Sequence, residues 1–346
     1  MTVTTPQTPP VTEVPKSSGT RLVDRVFKMR ELAILVVFLV MIVVTQLGNS
    51  EFLTEQGIKD LLLNATILVL VAVGQSLVVI TRNVDLSVGS TLGISAFAAG
   101  TYLQGGGNAV VAVALAVLMG IGFGLLNGLL VSLGQVPALV VTLGTLYIIR
   151  GIDSIWVGSR QITASALPDG FVDFGSGGIS AVPYLALIAV VVLVATAYYM
   201  KHFGSGRELY ALGSNPEAAR LAGIPVRKRI LVAYTFCGAL AGLAGALYLA
   251  RFGNVDSSTG NGYELTVVSA VVVGGVVFTG GSGSVYGAAL GALLLTSINS
   301  VLPALGVSSV WVLAINGILL ILAIAVDRVV ALRVAAALKK RNARHG

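Results

Sequence analysis

Between Glu31 and Val326 the chain repeats one pattern: an apolar run, a short polar connection, then another apolar run. Each run approaches the roughly 20 residues that a helix needs to cross about 30 Å of hydrocarbon. None alternates polar and apolar positions as a single barrel strand would. The pattern predicts ten spans, at about 31–48, 61–81, 88–103, 108–133, 137–156, 182–200, 230–250, 265–279, 285–305 and 308–326. Three of them, 88–103, 137–156 and 265–279, are short or interrupted by Gly, Thr or Arg150, which makes them candidates for broken or re-entrant helices. The expected fold class is an all-α integral membrane protein of about ten transmembrane helices.

Composition agrees: 55% of the 346 residues are hydrophobic and 11% charged, and the mean hydropathy is +0.92, outside the range of a soluble domain. Cytoplasmic loops hold the excess of Lys and Arg. With the N-terminus inside, all of the 22 basic residues except Lys59, Arg150, Arg160 and Arg251 fall on the cytoplasmic side, so both termini are expected there. The opposite side collects Glu51, Glu55, Asp60, Asp153, Asp169, Asp173, Asp256 and Glu264. Residues 1–20 are rich in Thr, Pro and Ser without an apolar core, so the segment 1–30 is expected to be a disordered cytoplasmic tail. Residues 328–346 form a basic cytoplasmic tail after the permeation domain 31–327. The net charge of +7 sits beside span ends, where anionic lipid headgroups are a simpler partner than nucleic acid. Cys237 is the only cysteine, which rules out an intrachain disulfide, and two histidines leave little for a transition-metal site.

Polar groups inside the bilayer are expensive, so their positions map candidate function. The sharpest cluster is "ITRNVDLSVGS", Ile80 to Ser90, where Asp85 or Ser87 is placed to cap the third helix and aim backbone N–H groups at a polar path. A second junction, Phe278 to Gly287, has similar character. The helices that follow match loosely, "GSTLG" at Gly89 to Gly93 and "GAALG" at Gly287 to Gly291, which suggests a weak internal repeat; ordinary small-residue packing is the alternative. The candidate path residues are Gln75, Asn83, Asp85, Ser87, Asn127, Thr142 and Asn299; further polar positions are Asn64, Thr145 and Asn316. Each amide equally suits a helix-to-helix hydrogen bond. Asp85 is the one acid expected near membrane depth, which leaves a proton or sodium relay little to work with and favours a neutral, hydroxyl-rich cargo.

The longest cytoplasmic connection, 201–230, contains "GSNPEAARLAG", Gly213 to Gly223. Asn215 is a good N-cap, Pro216 a good first helical residue, Glu217 suits the positive end of the helix dipole, and Gly223 supplies the stop with Pro225 beyond. A helix of about eight residues is marginal alone in water and must dock on something. Ala218 and Ala222 are expected to form its close-packing face, set either against its own bundle or in a groove of another protein.

"EAARLAG" resembles the start of the EAA signature of ATP-binding-cassette importer permeases. The runs Gly206 to Phe252, "VDLSVGS" at Val84 to Ser90, and "GYELTVVSAVVVGG" at Gly262 to Gly275 resemble the ribose-type sugar permeases, over roughly residues 30 to 327. The later Ile-x-Leu-Pro part of the signature is absent after Gly223, and Thr266 stands where many sugar permeases carry an acid. The resemblance implies a type II-like permease bundle in the bacterial cytoplasmic membrane, not itself an enzyme. It also implies a coupling helix at Gly213 to Ile224 that inserts into a separate ATPase subunit, with Glu217 and Arg220 for polar contacts, Ala218 and Ala219 for packing, and Gly223 for the turn. Further implied partners are a second permease subunit, identical or merely similar, and an extracytoplasmic sugar-binding protein. No phosphate loop occurs in the sequence, so the expected cofactors, ATP and Mg, belong to the ATPase. The implied cargo is a pentose, hexose or deoxysugar such as rhamnose, with autoinducer-2 or another small polar solute as the alternative. A secondary transporter or channel, or a scaffold without solute flux, are the readings from other classes.

Overall fold

The computed structural model of the protein describes residues 18–48 and 52–304, with individual positions between 306 and 325. It is built from helices: α1 Ser18–Gly48, α2 Glu55–Ile80, α3 Val88–Gln104, α4 Ala109–Ser132, α5 Ala138–Val157, α6 Asp169–Ser176, α7 Tyr184–His202, α8 Gly204–Ser214, α9 Pro216–Leu221, α10 Val226–Phe252, α11 Tyr263–Val273 and α12 Val285–Ala304. A two-residue hairpin, β1 (Gly178–Ile179) and β2 (Val182–Pro183), leads into α7. Among the described residues six helices, α2, α4, α5, α7, α10 and the Val285–Leu302 part of α12, are long and apolar enough to cross a bilayer.

Several boundaries differ from the sequence pattern. The helix of the first span already begins at Ser18, where a disordered tail was expected. Helix growth from an existing helix costs far less than nucleation, so the apolar span extends backward through residues that would not nucleate alone. α5 is continuous despite its Gly and Thr residues. Its Arg150 donates to the Thr259 carbonyl at 2.7 Å and lies 4.0 Å from the Asp153 carboxylate, so its charge is met by protein. The expected span 265–279, a candidate for a broken helix, contains a short one: α11 runs Tyr263–Val273, and Gly274 and Gly275 begin a turn that leads the chain to α12. The expected span 308–326 and the tails 1–17 and 328–346 lie largely or wholly outside the described residues, as does Asn316.

α2 sits at the centre of the bundle. It is buried over nearly its whole length from Leu61 to Ile80, the expected fate of a helix that is apolar on every side. α7, α10, α11 and α12 surround it, and the core residues Leu70, Val71, Leu77, Leu185, Ala241 and Val271 knit these helices together. A smaller cluster, with Phe97, Ile162, Phe171 and Leu249, closes the end that carries α6.

The most extensive helix pairing is α4 with α10. Gly120 and Gly124 of α4 meet Gly238 of α10 with backbone against backbone; a Cβ on any of the three would collide with the opposite main chain. Without a hydrophobic drive between helices in lipid, such close approach supplies the van der Waals contact that holds them. A four-residue glycine spacing thus marks this crossing, as in the two runs singled out from the sequence. Gly89 and Gly93 use their spacing differently, admitting the irregular segment at Thr259 and Gly260 rather than a helix.

Gly120→Leu is expected to lower the melting temperature of the detergent-solubilised protein, by overpacking worth about 1–3 kcal/mol. Gly122→Leu, where a side chain would meet nothing within 4 Å, leaves it near the wild-type value in the same thermal unfolding assay.

Candidate functional site

The connection from α2 to α3 runs as irregular backbone through the interior. Arg82 adopts φ 66°, in the left-handed region, and turns the chain back toward α3. The Asp85 carboxylate then accepts the Ser87 N–H at 2.9 Å and the Ser87 hydroxyl at 2.7 Å. Asn127 of α4 donates from its amide nitrogen to the Ser87 hydroxyl at 2.8 Å, with the Asp85 oxygen at 3.4 Å. Gln75 of α2, with its amide nitrogen facing the Asp85 carbonyl, donates to it at 3.3 Å and accepts the Asp85 N–H at 3.1 Å. The Val84 carbonyl accepts from Tyr234 of α10 at 3.1 Å and Thr142 of α5 at 3.3 Å.

Four of the helices are therefore tied to one buried turn. Gln75, Asp85, Ser87, Asn127 and Thr142, picked from the sequence as path candidates, converge here, and all are fully or almost fully buried. Their hydrogen bonds go mostly to one another, the helix-to-helix use that the sequence left open for each amide. The cap expected for α3 does not form: Ser87 occupies the N-cap position without a side-chain cap bond, because its hydroxyl is spent on Asp85. Asn83 turns inward to Thr81, donating to its carbonyl at 2.9 Å and its hydroxyl at 3.1 Å. Asn299 of α12 lies apart, its Oδ1 buried without a hydrogen-bond partner among the described residues.

Asp85 is not alone among acids at depth. Asp153 of α5 is fully buried, and Glu264, in the first turn of α11, has one oxygen buried beside Gly89. Asp153 falls inside the predicted span 137–156 but is assigned by the sequence pattern to the outer side, and Glu264 falls just before the predicted span 265–279, whereas α11 already begins at Tyr263.

The same turn is gripped from outside by the α8–α9 corner. Arg82 donates from Nε to the Gly213 carbonyl and from its terminal nitrogen to the Ser214 carbonyl at 2.8 Å. The Gly281 N–H donates to the Ile80 carbonyl at 2.9 Å, and Tyr210 of α8 donates to the Gly283 carbonyl at 3.1 Å. Gly213 fits only because it lacks a Cβ, which would overlap Ile80 and Gly281. Thus the two junctions singled out from the sequence, at Ile80 to Ser90 and Phe278 to Gly287, meet at one corner.

The polar connection 201–230 contains two helices rather than one, and Gly213 belongs to the end of α8. α9 is shorter than expected, Pro216–Leu221, with Asn215 accepting the N–H groups of Glu217 and Ala218 at 3.1 Å each. Gly223, at φ 81°, ends the turn. Ala219 is buried against the chain's own bundle, so it is not free for a partner as expected. Glu217, Ala218, Arg220 and Ala222 are exposed. Leu221 is 90% exposed; an apolar residue in an otherwise polar short helix was the sequence signal for it. Arg82 stood in the sequence cluster but was not among the candidates, and Tyr234 gave no signal inside its apolar span.

The chain matches the family described as "Branched-chain amino acid transport system / permease component" over residues 57–324. The ribose import permease protein of Escherichia coli (strain K12) is 35% identical over 312 residues, covering 90% of this chain and 97% of that protein. The autoinducer 2 import system permease protein of Salmonella typhi is 37% identical over 276 residues, covering 79% of this chain and 78% of that protein. No solved structure matches the chain. The protein is a multi-pass permease component of a transport system, seated in the cytoplasmic membrane. It belongs to the branched-chain amino acid transport system / permease component family, the importer permease class that its sequence motifs resemble.

Asn127→Ala removes the donor shared by Ser87 and Asp85 and is expected to cost about 1–3 kcal/mol. A lowered unfolding midpoint for the variant in detergent is the measurement.

Proposed function

We propose that this chain is the membrane subunit of an ATP-driven importer of a small neutral polyhydroxylated solute, a monosaccharide of the ribose class, with autoinducer-2 as the alternative cargo. The observation that carries the reading is the α8–α9 corner. A six-residue helix, too short to stand alone in water, presents Ala218, Ala222 and Leu221 outward while its base is bonded through Arg82 to the α2–α3 turn. That is the construction of a lever: a knob for an external protein, fixed to the most tightly bonded point of the bundle.

In this reading α9 inserts into a separate ATPase subunit, which binds ATP and Mg; this chain makes and breaks no covalent bond. Glu217 and Arg220 supply polar contacts, while Ala218 and Leu221 fill an apolar groove. The α9 face is cytoplasmic, as the basic residues Lys201, Arg207, Arg220, Arg227, Lys228 and Arg229 around it favour. Both termini lie on that side, with ten spans in all. The α6 face then meets an extracytoplasmic binding protein that delivers cargo, and a second permease subunit completes the path. ATP-driven movement of the knob biases the bundle between two arrangements only if contacts differ between them. Arg82, which bonds the corner to the turn, is the residue through which this difference reaches α2 and α3.

The reading is tested in proteoliposomes holding the permease, its ATPase and its binding protein, with labelled D-ribose and autoinducer-2 supplied separately. ATP-dependent uptake of one of them is the expected result. Uptake that ignores ATP and collapses with an ion gradient would instead indicate a secondary transporter, and absence of any flux a scaffold. Ala218→Glu and Leu221→Glu are each expected to cut ATPase association at least tenfold, read by co-purification. Arg82→Ala is expected to keep the ATPase bound but reduce solute imported per ATP hydrolysed.

A further inference from the structure

Beyond α10 the chain does not remain at the edge of the bundle. Gly253, at φ 60°, reverses it, and Val255 pairs with Ile162 through two backbone hydrogen bonds of 2.9 and 3.1 Å. The segment then descends until the Thr259 and Gly260 carbonyls press against Gly93 and Gly89 of α3, where a Cβ would collide. Gly93 lies about 18 Å along α3 from its Gly105 end, at 1.5 Å per residue. Gly260 and Gly262, at φ 76° and 78°, turn the chain into α11. The segment 253–262 thus carries irregular backbone into the bundle ahead of α11.

Irregular backbone at membrane depth is tolerated only where protein covers it or water reaches it, and polar side chains at that depth face protein or a water-filled cavity. Asn254, Ser258 and Asn261 on this loop are exposed, so their own bundle does not cover them. They border a recess of about 290 Å³, completed by Asp256, Tyr248 and Tyr263. Sites for small molecules run from about 300 Å³ upward, so the recess suits one sugar ring better than a peptide.

The loop is pre-shaped. Arg150 donates to the Thr259 carbonyl at 2.7 Å, and Gln161 donates from its amide nitrogen to Asn254 Oδ1 at 2.7 Å. Asp256 accepts the Ser258 hydroxyl at 2.7 Å and the Ser258 N–H at 2.8 Å. A rigid loop that holds its polar groups in place loses little entropy when it binds.

We propose that this recess is a cargo-binding station on the translocation path, selective for neutral polyhydroxylated rings. The proposal rests on the importer reading above. Amides, hydroxyls and a carboxylate match the alternating donors and acceptors of sugar hydroxyls. The lining carries one acid and no base, so a phosphorylated sugar or another anion is disfavoured. It also lacks an aliphatic pocket that would select a branched amino-acid side chain.

Asn261→Cys and Ser258→Cys provide the test in the full complex in proteoliposomes. Wild type, whose single cysteine Cys237 is buried, gives the background. A membrane-impermeant thiosulfonate is expected to modify both variants from the extracytoplasmic side. The rate should fall several-fold in the presence of whichever of D-ribose, D-glucose, L-rhamnose or autoinducer-2 the complex imports, and should not change with ribose 5-phosphate. Failure of the reagent to react, or a rate that none of these solutes alters, overturns the proposal. A complex that transports none of the solutes sinks the importer reading separately, while the labelling still reports whether the loop faces water and whether a sugar occupies it. As a second arm, Asn261→Ala is expected to raise KM for the imported solute about tenfold, about 1.4 kcal/mol, with kcat changed far less. A loss confined to kcat overturns it.

Discussion

An irregular stretch of backbone buried in a lipid-embedded bundle has no water to satisfy it, and the α2–α3 turn is such a stretch. The protein meets that demand with Asp85, which gathers the Ser87 N–H, the Ser87 hydroxyl and the Asn127 amide on one oxygen. Tyr234 and Thr142 cover the Val84 carbonyl, and Gln75 covers the Asp85 backbone. Because the donors come from α2, α4, α5 and α10, satisfying this turn also fixes where those helices stand. A polar group buried in low dielectric must be hydrogen-bonded, and the geometry that does so has little freedom.

Arg82 carries that rigidity to the surface. Its guanidinium reaches the last carbonyls of α8 while its backbone sits in the left-handed region, so the exposed knob and the buried turn share one residue. Gly213 and Gly281 contribute by having no side chain at the point where three segments cross. The opposite half of the bundle uses the same device with a different outcome. Gly89 and Gly93 clear room for carbonyls of the irregular segment before α11, which brings polar groups to a depth where helices alone would present a sealed apolar wall.

Much of this was legible in the chain because membrane helices are dictated by run length. The apolar runs around α4, α7, α10 and α12 were located to within a few residues, and α2 begins six residues before its predicted span. The caps of α9 were legible because capping is local: Asn215, Pro216 and Gly223 act within a turn of their own positions. That Gln75, Asp85, Ser87, Asn127 and Thr142 are polar groups of the interior was legible because polar residues in or beside apolar runs stand out. Their use was not legible. A sequence shows that an amide is in the membrane, but not whether its partner is another side chain or a solute, since the partner is set by how helices cross. The same limit hid the early stop of α11 and the burial of Asp153, of one Glu264 oxygen and of Ala219.

By itself the sequence determined the solvent, the helical class, the polar positions and the short capped helix, since each follows from hydrophobicity or from contacts within a turn. Only the tertiary structure decided that Arg82 joins that helix's base to the α2–α3 turn, that the polar cluster closes on itself, and that the segment after α10 plunges back to α3. These depend on backbone-to-backbone distances between residues far apart in the chain. Glycines such as Gly93 and Gly213 permit such approaches, but nothing in their local sequence says which partner will come near.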